Sequence, residues 1–187
     1  MADDHPPPRI TEHTAADAAR LGETVYALYA ESFRGPPHPE VETREMYLER
    51  WDRHRAREGF LLLTLDLGPT GAPGGFLYGY RGRPGTWWFD HVAANLPREV
   101  RERWFADPFE LVELGVAPAY RGKGFGTQLI RRALEVVPAR TVVLSTQRDG
   151  NPVVRLYLRE GFEVVHPGLR FSETGDPFVV MARAGRR

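Results

Sequence analysis

Cysteine is absent from the 187 residues. That excludes disulfides, cysteine-ligated metal sites and any reaction through a covalent thiol intermediate. No apolar run approaches the roughly 18 to 20 residues of a membrane helix. The start, Met1-Ala2-Asp3-Asp4-His5 and three prolines, is acidic and Pro-rich, the opposite of a signal peptide. Neither sign of charge is in excess: Lys plus Arg and Asp plus Glu both number 25, so the formal net charge is zero. Such a balance gives no electrostatic reason to bind nucleic acid or an anionic membrane. The expectation is a cytoplasmic protein with no nucleic-acid or membrane partner and no metal centre.

What remains is a globular composition, 42% hydrophobic and 27% charged. The length suits one domain with a real core. We expect a disordered lead over 1–8, a single domain over 9–184 and a short basic tail over 185–187. Arg9-Ile10-Thr11 reads as a first strand. Ala18, Leu21, Val25, Leu28 and Tyr29 recur at helical spacing from Ala15 to Phe33, with Thr14 as N-cap. A second helix is expected from Glu42 to Arg57. Phe60–Leu65 and Gly75–Tyr80 read as a hairpin. The stretch from Arg81 to Pro108 carries Trp87, Trp88 and Phe89, with a short helix expected from Pro97 to Phe105. Beyond it the order is strand (Phe109–Val116), helix (Gly124–Val137), strand (Thr141–Thr146), helix (Asn151–Glu160) and two strands (Phe162–Val165, Phe178–Met181). Such alternation after a hairpin predicts an α/β fold, a mixed sheet with helices on both faces.

Arg121-Gly122-Lys123-Gly124-Phe125-Gly126 stands at a strand-to-helix junction. Alternating glycines let the backbone approach a ligand closely, and the helix N-terminus adds about half a positive charge. Together they form an anion cradle suited to phosphate, with Arg121 and Lys123 able to add full charges. The pattern alone is weak: with 19 glycines in 187 residues, chance supplies Gly-x-Gly-x-Gly in roughly one such chain in five. A P-loop needs Ser or Thr after Gly-Lys, where Gly124 stands, and a glycine where Ala117 stands. The dinucleotide fingerprint needs a third glycine where Thr127 stands.

Val116-Ala117-Pro118-Ala119-Tyr120-Arg121-Gly122-Lys123-Gly124-Phe125-Gly126 resembles the acyl-CoA-binding motif of the GNAT acetyltransferases, written R/Q-x-x-G-x-G/A. Farther on, Asn151-Pro152-Val153-Val154-Arg155-Leu156-Tyr157-Leu158-Arg159-Glu160-Gly161-Phe162 is similar to that family's second signature, an Asn before a helix with Leu-Tyr that ends in Gly-Phe. The resemblance covers roughly 109–165 strongly and the first half loosely. It implies a GNAT-type, largely antiparallel sheet splayed between its two middle strands.

The resemblance also implies acetyl-CoA as cosubstrate and an amine acceptor. Arg121, Gly122, Lys123, Gly124, Phe125, Gly126 and Thr127 would hold the pyrophosphate. Leu114, Gly115 and Val116 would lie along the pantetheine arm, and Asn151 would fix it from the far side. Tyr157 matches the general acid of many members, the alternative for it being a packed core aromatic. An alkylamine with pKa near 10.4 must lose a proton before attack, and a thiolate leaving group of pKa about 8.5 benefits from a donor. For the base, Glu110 matches the glutamate of histone-acetylating members. Glu113, three residues on, points to the opposite face of an unbulged strand, and a water chain is a third option. The three aromatics from Trp87 to Phe89 pack a core or interface, or line an acceptor pocket. The expected activity is direct acetyl transfer to a primary amine, with a small-molecule acceptor. A protein lysine or N-terminal acetyltransferase and a non-catalytic acyl-CoA-binding module stay open, and so does a homodimer.

Overall fold

The computed structural model describes residues 8–35, 41–67, 73–148 and 152–185. The expected disordered lead, except Pro8, falls outside these residues, as do Asn151 and the last two residues of the tail. The described residues form seven strands of a mixed, mostly antiparallel sheet and six α-helices. It divides into two compact units, one of Met1–Gly79 and Glu113–Ala133, the other of Tyr80–Val112 and Leu134–Arg187.

The first unit opens with β1 (Arg9–His13), α1 (Ala15–Ser32) and α2 (Arg44–Arg55). Thr14 caps α1 as expected: its hydroxyl accepts from the Asp17 N–H and the Asp17 carboxylate accepts from the Thr14 N–H, a complete capping box. Thr43 caps α2 by accepting from the Met46 N–H. The hairpin is present as β2 (Leu61–Asp66) and β3 (Pro73–Arg81), whose residues through Gly79 belong to this unit. β2 lies between β1 and β3, antiparallel to both, with Ile10 opposite Leu65 and Leu63 opposite Leu77. A central strand has both faces covered, which is why Leu62, Leu63 and Leu65 form an almost unbroken apolar run and are all buried.

Trp51 organises the core of this unit. Its indole N–H donates to the Ala18 carbonyl at 3.0 Å. Its ring meets Phe60 and Tyr78 edge-on, and Gly22 leaves just enough room for it on α1. Trp51→Ala is expected to cost about 3–5 kcal/mol, through lost burial plus the cavity left behind. Urea unfolding followed by far-UV circular dichroism measures that loss.

The second unit contains the stretch that the sequence left irregular. It holds α3 (Trp87–Ala94) and α4 (Arg98–Trp104). The expected helix over 97–105 is α4; α3 was not foreseen. Thr86 stands at the N-cap of α3 without a side-chain capping bond, so the usual start signal is missing. Phe89, Val92, Ala93, Leu96, Trp104 and Phe105 form a core with Val143, Leu169, Val180 and Ala182. The three successive aromatics take three environments. Phe89 is buried, Trp88 donates its indole N–H to Ser145 Oγ at 2.9 Å, and Trp87 is 66% exposed.

β4 (Pro108–Val116) runs through both units, and α5 (Phe125–Val136) leads from it towards β5 (Thr141–Gln147). β4 pairs with β5 in parallel over three positions, Pro108, Phe109 and Glu110 against Thr141, Val142 and Val143. Both strands continue beyond the last of these pairs. α6 (Val153–Arg159) then precedes β6 (Glu163–Leu169) and β7 (Phe178–Ala184). β7 is antiparallel to both β5 and β6, and irregular registers interrupt its ladder with β6.

Candidate functional site

The glycine-rich loop belongs to the first unit. After β4 the chain makes a 3₁₀ turn at Pro118–Tyr120, an element beyond those expected from the sequence. It then passes Gly122 at φ 75° and Gly124 at φ 81° before entering α5. Both angles lie in the left-handed region that disfavours side chains. A Cβ added at either glycine would meet nothing within 4 Å, so the space in front of the loop is open. The first bond of the helix is Gln128 N–H to the Gly124 carbonyl, 3.1 Å. The N–H groups of Phe125, Gly126 and Thr127 therefore precede the helical ladder and have no partner within it. Open space, three donors and the positive end of a helix dipole fit a phosphate group.

Arg121 behaves differently from a rim charge. Its Nε donates to the Val116 carbonyl at 3.1 Å, and its Nη2 donates to the Ser32 carbonyl at the end of α1. The guanidinium thus fixes the shape of the loop. Lys123 Nζ stands 5.6 Å from the centre of the Tyr120 ring. Before the loop, Gly115 packs against Phe76 so closely that a Cβ would come within 2.5 Å of its ring. The Ala117 N–H donates to the Gly74 carbonyl at 2.9 Å.

Glu113, also in the first unit, is held on both oxygens. Arg50 Nη2 donates to Oε1 at 2.6 Å and the Tyr47 hydroxyl donates to Oε2 at 2.9 Å. Its side chain is 12% exposed. Burial pushes the carboxyl above its ordinary range, and Arg50 and Tyr47 pull it back towards the ionised form. Arg50 also donates from Nε to both Glu42 oxygens and from Nη1 to the Tyr78 hydroxyl at 2.6 Å. Its guanidinium lies 4.7 Å from the centre of the Tyr47 ring. Burial works against the Arg50 charge, and the carboxylates overcome it, so the guanidinium is more firmly protonated than usual. The Tyr78 hydroxyl also lies 3.2 Å from His54 Nδ1. Burial beside Arg50 pushes His54 down to about 3, so the imidazole is neutral at physiological pH. No local sequence signal marks Arg50, Tyr47 or Tyr78, since their partnerships join residues 28 to 66 apart in the chain.

The other two candidates belong to the second unit. Glu110 on β4 is 4% exposed and accepts from the Tyr80 hydroxyl at 2.9 Å. Tyr157 on α6 is also 4% exposed, and its ring meets Phe162 edge-on at 5.3 Å. Burial raises the Tyr157 phenol above its ordinary value, so it keeps its proton at neutral pH. Among the described residues, no cluster of three or more His, Asp or Glu could hold a metal ion, and no helix is long and apolar enough to cross a membrane.

Comparison with known proteins shows the family. The acetyltransferase (GNAT) family model matches residues 23–162. The chain belongs to the GNAT acetyltransferase family. A GCN5-like protein acetyltransferase of Mycobacterium tuberculosis is 38% identical over 119 residues, which cover 58% of this chain and 57% of that protein. The N-alpha-acetyltransferase RimI of the same organism is 37% identical over 62 residues, 33% of this chain and 38% of that one. The matches thus span little more than half of the first relative and over a third of the second.

Among solved GNAT structures, the PaiA N-acetyltransferase of Thermoplasma acidophilum, in complex with coenzyme A, superposes with a TM-score of 0.64 at 16% identity. That match covers 96% of this chain and 99% of the other. The ribosomal-protein-S18-alanine N-acetyltransferase of Escherichia coli gives a TM-score of 0.62 at 13% identity, covering 97% and 96%. At such identity these two structures establish the fold.

Proposed function

We propose that the protein transfers acetyl from acetyl-CoA directly to a primary amine. The observation that carries this reading is the loop from Arg121 to Thr127. Two left-handed glycines open a surface in front of three helix-terminal N–H groups, inside the stretch that the family model matches. In this reading Gly122, Lys123, Gly124, Phe125, Gly126 and Thr127 hold the pyrophosphate of CoA, with Arg121 shaping the loop. Leu114, Gly115 and Val116 lie along the pantetheine arm, and a backbone N–H of β4 polarises the acetyl carbonyl. Asn151 completes the arm's binding.

The amine nitrogen bonds to the acetyl carbon as the carbon–sulfur bond breaks. Glu110 takes the proton that the amine loses, and Tyr157 gives one to the departing sulfur. Glu113, with both oxygens engaged by Arg50 and Tyr47, holds structure rather than protons. The absence of cysteine supports direct transfer, because no enzyme thiol is available to carry the acetyl group.

In this reading the acceptor is a small molecule. A second reading, acetylation of a protein amine, draws on the two mycobacterial relatives, named respectively as acting on protein and on an N-terminal α-amine. A thiol-release assay with acetyl-CoA against small amines, lysine peptides and peptides with free N-termini separates the two, run beside calorimetric CoA titration. Turnover on one class names the acceptor. CoA binding without turnover on any class favours a non-catalytic acyl-CoA-binding module, and absence of CoA binding overturns the reading. Glu110→Gln is expected to lower kcat/KM at pH 7 by about 100-fold, the contribution of a well-placed base. Part of the loss should be recovered at high pH, where the acceptor arrives deprotonated. A loss independent of pH would remove Glu110 from that role.

A further inference from the structure

We infer that Arg50 is a positioning residue for the acetyl end of β4, acting through Glu113. This rests on the acetyl-transfer reading above and adds to it a residue on α2 that does not touch the reacting atoms.

β4 is held differently along its length. Its pairs with β5 end at Glu110 and β3 borders it on the other side, whereas the segment proposed to lie along the pantetheine arm is Leu114–Val116. Immediately before that segment stands Glu113, whose carboxylate is anchored by two donors from α2, the guanidinium of Arg50 and the hydroxyl of Tyr47. Arg50 is itself over-determined. It donates to Glu42 and to Tyr78 of β3 as well as to Glu113, and its face lies over the Tyr47 ring. A planar guanidinium with a fixed fork of donors defines the position of each partner, which a flexible ammonium does not. The strand on the acetyl side of Gly115 is thereby pinned to α2 and β3. Beyond Gly115, Arg121 does the same for the loop through Val116 and Ser32. The two arginines hold the two ends of the proposed CoA track independently.

That independence makes a specific expectation. Loss of the Arg50 tether should loosen β4 next to the thioester and leave the phosphate cradle as it was. Arg50→Met is expected to lower kcat for acetyl transfer by about 100-fold, the usual consequence of misplacing a reacting group by about 1 Å, while calorimetric CoA affinity changes by less than about threefold. Arg50→Lys, which keeps the charge without the fork, should recover about tenfold of that loss. Glu113→Gln should lower kcat to a similar extent, and the double variant Arg50→Met with Glu113→Gln should be no worse than either single one, since both remove the same tether.

Hydrogen exchange gives a readout that needs neither acceptor nor turnover. In Arg50→Met the amides of Leu114, Gly115 and Val116 should exchange at least about tenfold faster, with those of β7 unchanged. Unchanged exchange at these three amides overturns the inference whether or not the protein proves to be an enzyme. Full kcat in variants that are folded at the assay temperature overturns it too, as would a fall in CoA affinity equal to the fall in kcat. Failure of the wild-type protein to bind CoA or turn over would instead be failure of the proposed function, seen before any variant is made.

Discussion

Gly124→Asp is expected to weaken CoA binding at least about 100-fold, equivalent to about 2.7 kcal/mol, with only a few degrees lost from the melting temperature. Two effects act together at this position. Gly124 sits at φ 81°, where any side chain carries strain of roughly 1–2 kcal/mol. Its Cβ position is open, so an aspartate side chain would extend into the space where the phosphates are proposed to bind, opposing them with like charge. Gly124→Asn separates these contributions, because it carries similar strain without the charge; about a tenfold loss is expected. Gly85→Asn serves as the control for strain alone. Gly85 has φ 91°, also with nothing within 4 Å of an added Cβ, and it lies in the other unit. Its CoA affinity should match that of the wild type. Calorimetry and thermal melts on the three variants decide the matter. Equal CoA affinity in Gly124→Asp and wild type would remove the loop from phosphate binding.

The legibility of this protein follows from how local each interaction is. The cradle could be read from the chain because a phosphate needs several N–H groups within one turn, and that demand falls on consecutive residues. Likewise Thr14, followed three residues on by Asp17, announces a helix start by contacts within a single turn. The β2–β3 hairpin was visible because two apolar runs flank a Gly/Pro stretch. By contrast, α3 lacks a capping bond at Thr86 and opens on Trp87-Trp88-Phe89, whose rings end in three environments. No periodicity distinguishes such a run from a lid or a loop.

The choice between Glu110 and Glu113 was equally closed to the sequence. Both are glutamates of one strand, and what distinguishes them is a tyrosine 30 residues from the first and an arginine 63 residues from the second. Arg50 is one of 25 lysines and arginines, on a helix with many other charged residues. Its burial beneath Glu42, Glu113 and Tyr78 is a product of tertiary packing and has no signature along the chain.

The second large effect is expected at Tyr157. Tyr157→Phe keeps the ring, which packs against Phe162, and removes the hydroxyl alone, so the fold should be preserved. If the phenol protonates the departing sulfur, kcat should fall about 100-fold with CoA affinity unchanged. The lower end of the usual 10²–10⁴ range for general acids is argued from acidity. Burial raises the phenol above its ordinary value, so it is a weaker acid than the thiol it serves, whose pKa is about 8.5. Donation is then useful while sulfur charge is developing but is uphill towards the fully formed thiolate.

The same raised value predicts the shape of the pH profile. The acid stays protonated through the neutral and moderately alkaline range, so wild-type kcat should show no alkaline decline from this group below about pH 10. A leaving group of lower basicity needs the acid less, so an acyl donor with a more acidic thiol should narrow the gap between Tyr157→Phe and wild type. A gap that stays constant across donors would assign the hydroxyl to binding or orientation. Full kcat in Tyr157→Phe would mean that this buried aromatic serves the core alone.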